Sequence, residues 1–261
     1  VTLRHLLTHT SGLGYEFWNP EIIRYQQAMG LPPVASRQNV ALELPLLFDP
    51  GQRWNYGIGL DWVGKMVEAV SGQTLGHFMQ DRIFAPLGMT STAFQPTPEM
   101  AARQAKPHAR QADGSLEFLQ RPVVDDPEFE MGGGGLYSSV GDYLKFIRMI
   151  LAGGSVGGQV VLRPETVAML SHNQMGDCRV TPMSSAMPDF SNDVDLLPGL
   201  EKTWGLAFMI NEDPAPTGRS AGSLSWAGLA NCYYWIDPAR GVGGVYMTQI
   251  MPFCDAKSLG L

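Results

Sequence analysis

Pro50-Gly-Gln-Arg-Trp-Asn-Tyr-Gly-Ile-Gly59 is the stretch on which the reading of this 261-residue chain turns. Asp49-Pro-Gly51 makes a turn, and the glycines at 57 and 59 indicate tight backbone packing around Tyr56. Just downstream, Val63, Met66, Val67 and Val70 fall at i, i+3, i+4 and i+7, which predicts a helix over 60–70 closed by Ser71-Gly72. Thr74 caps a second helix through Phe84, ending at Pro86-Leu-Gly-Met89. Upstream, Val1 to Gly12 reads as a short helix stopped by a Thr-Ser-Gly turn, and residues 15–50 as short helices and loops rich in Pro and aromatics.

The second half changes character. Residues 95–130 read as loop, and the run Gly132–Gly135 as close backbone packing near a site. Ser139 and Asp142 form an S-x-x-D capping box for a helix ending near Gly153-Gly154, and Arg163-Pro164 opens another. Lys202–Ile210, Arg219–Trp226, Leu229–Asp237 and Val242–Ile250 are β-rich runs, the last two joined by the hairpin loop Asp237-Pro-Ala-Arg-Gly241. Four strands in series after a run of helices predict an α+β fold, an antiparallel meander flanked by helices. The expected organisation is one domain, helical and loop-rich over 15–130, with helices plus sheet over 131–261.

Composition narrows the partners. Hydrophobic residues are 44% and charged residues 16%, as in a well-buried globular chain. A net charge of −7 with no basic cluster argues against nucleic acid. Apolar runs are broken well short of a bilayer span, so no membrane partner is expected and a soluble protein is, the cytoplasm favoured over the periplasm. Cys178, Cys232 and Cys254 are an odd number without C-x-x-C spacing, giving neither a disulfide framework nor a zinc pattern. No metal or other cofactor is expected, and oligomeric state is not legible.

Several segments together resemble the serine β-lactamase and penicillin-binding-protein superfamily, above all its class C β-lactamases and family VIII carboxylesterases. They are Leu6-Leu-Thr-His-Thr-Ser-Gly-Leu13, Pro50-Gly51 with Trp54 and Tyr56, Val70-Ser-Gly72, Phe84-Ala-Pro-Leu-Gly-Met89, Gly133-Gly-Gly-Leu-Tyr-Ser138 and Trp226-Ala-Gly228. The resemblance implies a β-lactamase-like fold with a mostly helical subdomain, and acyl transfer through a serine ester. A serine and lysine one helical turn apart share a face in the S-x-x-K motif. Tyr56 stands where the family has the tyrosine that works with that lysine; the ammonium would lower the phenol's pKa from about 10. Where the lactamases have Y-x-N, this chain has Tyr56-Gly-Ile58, and where they have K-T-G it has Trp226-Ala-Gly228. Both departures favour small carboxylic esters over β-lactams. Gly228 would let substrate approach the backbone, and the Leu229 N–H would be an oxyanion donor. The alternatives are a weak β-lactamase or D,D-peptidase, an acyltransferase, or an inactive fragment or binding domain.

No serine here has lysine three residues later, and the resemblance places that motif before Val1. The fold is therefore expected to be incomplete at both ends and the chain alone inactive. Gly153-Gly-Ser-Val-Gly157 fits G-x-S-x-G, but a nucleophile elbow needs a strand before Ser155 and a helix after it. His5 and His9 have metalloprotease spacing without the glutamate base, which leaves His9 a hydrogen-bonding role in its turn.

Overall fold

The computed structural model describes residues 1–120, 124 and 127–260. Helices α1 (Leu3–Leu7), α2 (Pro20–Met29), α3 (Gly59–Ser71), α4 (Leu75–Met79), α5 (Ala85–Leu87) and α6 (Pro98–Ala102) fill the first part. A small hairpin, β1 (His108–Arg110) and β2 (Leu116–Phe118), follows. Next come α7 (Val140–Leu151), the hairpin β3 (Ser155–Val156) and β4 (Gln159–Val160), and α8 (Pro164–Leu170). The last part holds β5 (Lys202–Trp204), β6 (Met209–Asn211), β7 (Ser223–Gly228), β8 (Cys232–Asp237), β9 (Val242–Tyr246), β10 (Ile250–Met251) and α9 (Ala256–Leu259).

Strands β5 to β9 form an antiparallel meander in chain order. It has five strands where four runs were expected, because Lys202–Ile210 folds back on itself with Trp204 opposite Met209. The α7 helix covers one face. Its Ser139 cap accepts from the Asp142 N–H at 3.3 Å, but the box is only half made. The Asp142 carboxylate turns instead to Ser91 N–H, Thr92 Oγ1 and Lys145 Nζ, tying α7 to the segment after α5. Ile147 and Ile150 of α7 then pack on Ile210, Leu224 and Ile236 of the sheet and on Phe84 and Leu87. Gly243 lets α7 sit close to β9, since a Cβ there would lie 2.7 Å from Ile147 Cγ2. Residues 95–130, expected to be loop, contain α6 and the β1–β2 hairpin, which gains a third strand from β10 pairing parallel to β1. That pairing spans most of the chain, so no local pattern announces it. Among the described residues no helix is long and apolar enough to cross a membrane.

The segment around Tyr56 is placed by backbone contact. Thr2 caps α1 by accepting from His5 N–H, and α1 lies against α3 through Gly59, where a Cβ would meet Leu6 O at 2.6 Å. Gly57 lies on the chain at Leu13–Gly14 in the same way. The α3 helix runs over 59–71, ending at the left-handed Gly72, but its apolar stripe is only half covered, with Val63 packed on the core and Val67 part-buried. Val70 is 88% exposed and Met66 41%, whereas Gly59, Asp61 and Gly64 are buried. Small residues pack here because they admit neighbouring backbone, and periodicity of large side chains cannot report that.

A Cβ at Gly57 would lie 2.4 Å from Gly14 Cα and 2.5 Å from Leu13 O, both backbone atoms that cannot swing aside. Gly57→Ala is expected to cost about 1–3 kcal/mol in urea unfolding of the intact protein. Wild-type stability in that variant would mean that the two segments are not held in this contact.

Candidate active site

Tyr56 sits in a cage of aromatic rings drawn from four segments. Its ring centroid lies 4.4 Å from His9, 4.8 Å from Trp226, 5.5 Å from Trp18 and 5.6 Å from Tyr15. Trp204 and Trp54 close it at 6.3 and 6.4 Å. Burial pushes the Tyr56 phenol up to about 12, opposed by a hydrogen bond to the Trp226 side chain and reinforced by the charge of Asp61. The phenol is therefore a proton donor at neutral pH, and it needs a cation beside it to become a base. Among the described residues no lysine ammonium acts on it. Lys65 pairs with Glu68, Lys145 with Asp142 and Lys202 with Asp195.

His9 carries the wall behind Tyr56. Its backbone is left-handed at φ 54, its Nδ1 accepts from the Gly57 N–H at 3.4 Å, and burial lowers its pKa to about 3. The imidazole is thus neutral with its proton on Nε2. That donor, with the indole N–H groups of Trp54 and Trp204, is buried without a hydrogen-bond partner among the described residues. Three unsatisfied donors in an apolar cage are costly, on the order of 1–3 kcal/mol each.

Trp226 reaches the cage from β7, which crosses from an interior strand to an open edge at this point. Its pairing with β6 ends at Ser225, opposite Met209, while pairing with β8 runs on to Gly228 opposite Cys232. Trp226, Ala227 and Gly228 therefore leave their β6 side open, and Leu229 begins the turn beyond. A cavity of about 10 Å³ lies beside Trp54 and Trp226, lined by Met183, Val194 and Met209 and bounded by the Lys202–Asp195 pair at 2.9 Å. It holds no more than one water as it stands, though methionine walls adapt readily.

The structure thus brings Tyr56 and Trp226 together, with Gly228 and Leu229 on the same strand end. Ile58 points into the core with Leu6, Leu13 and Phe129, so the position of the lactamase amide is spent on packing. Ser155 lies in the β3–β4 hairpin after α7, with no helix following it directly. The sequence pattern did not reveal Tyr15, Trp18 and Trp204 as walls of the site, because each is indistinguishable from a core aromatic.

The neutral, buried His9 makes acid costly. Its folded pKa lies below the unfolded value, so its contribution is present above about pH 6.5 and is lost as pH falls toward about 3. His9→Gln should gain on the wild type by about 1.4 kcal/mol per pH unit between pH 6 and pH 4. Parallel unfolding curves at both pH values would show that His9 is not buried neutral.

Comparison with known proteins agrees with this architecture. A model of the Beta-lactamase family matches residues 1–258. The monacolin J acid methylbutanoyltransferase of Aspergillus terreus (strain NIH 2624 / FGSC A1156) is 35% identical over 266 residues, covering 98% of this chain and 63% of that protein. The lovastatin esterase of Penicillium rubens is 30% identical over 269 residues, covering 95% and 64%. Among solved structures, the LovD6 mutant of simvastatin synthase (LovD) from Aspergillus terreus aligns with a TM-score of 0.80 at 33% identity, over 100% of this chain and 63% of that one. EstCE1, a hydrolase with promiscuous acyltransferase activity, shares the fold with a TM-score of 0.74 at 21% identity, over 96% of this chain and 67% of that one. The chain spans less than two thirds of the length of the two sequence relatives. Matched along nearly its whole length and built on the expected antiparallel meander with helices packed on it, this chain belongs to the Beta-lactamase family and has its fold.

Proposed function

We propose that this chain forms the tyrosine side of an acyl-transfer site, in which a serine ester is made from an acyl donor and resolved by an alcohol or by water. The observation that carries it is the aromatic cage around Tyr56 at the open end of β7. Serine Oγ passes its proton to the lysine of the S-x-x-K motif as it attacks the acyl carbonyl. The bond to the leaving alkoxide breaks as that oxygen takes a proton from Tyr56, whose phenolate is then held beside the new ammonium. In the second half the acceptor hydroxyl gives its proton to the Tyr56 phenolate and attacks the ester carbonyl, and the serine Oγ leaves with the proton that the lysine returns to it. Trp226 walls the acyl group, Gly228 admits it to the strand, and the Leu229 N–H helps bind the oxyanion.

One feature favours an alcohol acceptor over water and ranks transfer ahead of the simple esterase expected from sequence. Rings surround Tyr56, so an apolar alcohol can occupy the site while water is disfavoured there. Both kinds of chemistry also appear among the relatives, one a methylbutanoyltransferase and another an esterase. The unpaired donors on His9, Trp54 and Trp204 suit an acyl substrate, whose oxygens only accept. With Ile58 buried and tryptophan at 226, β-lactam turnover should be weak.

On this reading the nucleophile lies outside residues 1–261. In the intact protein, a fluorophosphonate probe should label a serine followed three residues later by lysine. Labelling of Ser155, or of any other serine in this chain, would overturn that assignment. Tyr56→Phe should lower p-nitrophenyl ester turnover by about 10²–10⁴-fold, with nitrocefin turned over poorly by wild type and variant alike. Unchanged ester turnover would remove Tyr56 from the mechanism. An added apolar alcohol should divert product from acid to ester, and no diversion would return the reading to hydrolysis.

A further inference from the structure

One buried carboxylate beside the cage has no part in the chemistry above. Asp61, in the first turn of α3, is fully buried and has no lysine or arginine partner among its hydrogen bonds. Its Oδ2 accepts from the Tyr15 hydroxyl at 2.9 Å and its Oδ1 from the Gly133 N–H at 3.0 Å. The glycine run is shaped to reach it. A Cβ at Gly133 would lie 2.3 Å from the Tyr15 hydroxyl, and one at Gly132 would lie 2.4 Å from Leu60 O. Tyr15 in turn stands against Tyr56 at 5.6 Å and stacks on Phe17 at 5.0 Å.

We propose that Asp61 is a positioning residue for Tyr56: its two oxygens hold the Tyr15 ring against Tyr56 and clamp the glycine run onto the start of α3. A carboxylate is needed because both partners are donors, and only an ionised acid offers an acceptor to each. A neutral amide or a protonated acid has one acceptor oxygen, so it releases or reverses one of the two contacts. A buried charge without a cation is otherwise hard to account for, since an apolar residue would pack there at less cost.

The clamp loosens in acid. Burial raises the Asp61 carboxyl to about 6, partly offset by the Gly133 and Tyr15 hydrogen bonds. The titratable groups facing it are Tyr15 and Glu16 from the segment after α1 and Tyr56 from the loop ahead of α3, while the glycine run presents backbone only. Glu16, which accepts from the Val34 N–H, is also raised by burial. Asp61→Asn separates the two carboxyls because it removes only one and resembles protonated Asp61 at every pH.

The inference rests on the acyl-transfer reading for its kinetic arm alone. In the intact protein, ester turnover by the wild type should fall on acidification with a midpoint near pH 6. Asp61→Asn should be flat from pH 5 to 8 at the wild type's low-pH level, several-fold down in kcat with KM little changed. Tyr15→Phe should lower kcat while keeping an acid limb, since the carboxylate remains. The second arm needs no activity, and its wild-type titration needs no variant. The near-UV circular dichroism of the wild type, which reports the aromatic cage, should titrate between pH 5 and 7, and this transition should be missing in Asp61→Asn. Wild-type kcat and pH profile in Asp61→Asn, or a cage signal that does not titrate, would overturn the assignment. If the wild type turns over no ester, the acyl-transfer reading fails and the dichroism decides Asp61 by itself.

Discussion

Everything at the Tyr56 site depends on how close two stretches of backbone can come. Gly57 against Leu13–Gly14 and Gly59 against Leu6 are contacts in which one main chain lies on another with no side chain between. They fix the loop bearing Tyr56 relative to α1, and His9 locks it by accepting the Gly57 N–H. The ring positions follow from that docking. The rigid platform is made of glycine and main chain, and the aromatic side chains are arranged upon it.

The sheet supplies the other half by a change in pairing. While β6 runs alongside, β7 is an interior strand; beyond Ser225 that partner is gone and one side of the strand opens toward the cage. The same strand therefore anchors in the core through Leu224 and offers Trp226 to the site. Core and site are separated by two residues, and their division is set by where a short neighbouring strand stops.

The motif order made the fold legible, and so did the β-rich runs, whose turn residues at Asp237–Gly241 mark a real hairpin. Tyr56 and Trp226 stand out in the sequence because each lies inside a longer pattern, and the structure sets their rings 4.8 Å apart. What escaped were features without a local pattern. Lys202–Ile210 reads as one strand because its alternation does not show the reversal at Gly205. The stripe on α3 pointed to Met66 and Val70, yet the helix packs by the gaps that Gly59 and Gly64 leave. Tyr15, Trp18 and Trp204 are brought to the site only by tertiary contacts, and a core aromatic has the same sequence signature. Asp61 looks like an ordinary helix-start acid, favoured by the helix dipole, until the glycine run is seen to dock on it.

The distribution of the cage along the chain has a kinetic meaning. His9, Tyr15 and Trp18 come from its beginning, Tyr56 from its first quarter, and Trp204 and Trp226 from its last. Contacts so distant in sequence close large loops, and that entropy is lost before they give anything back. The walls of the site therefore meet only once the meander has formed. A nascent chain halted before the sheet would display Tyr56 and its neighbours as exposed apolar surface, the kind that chaperones bind and that aggregation begins from.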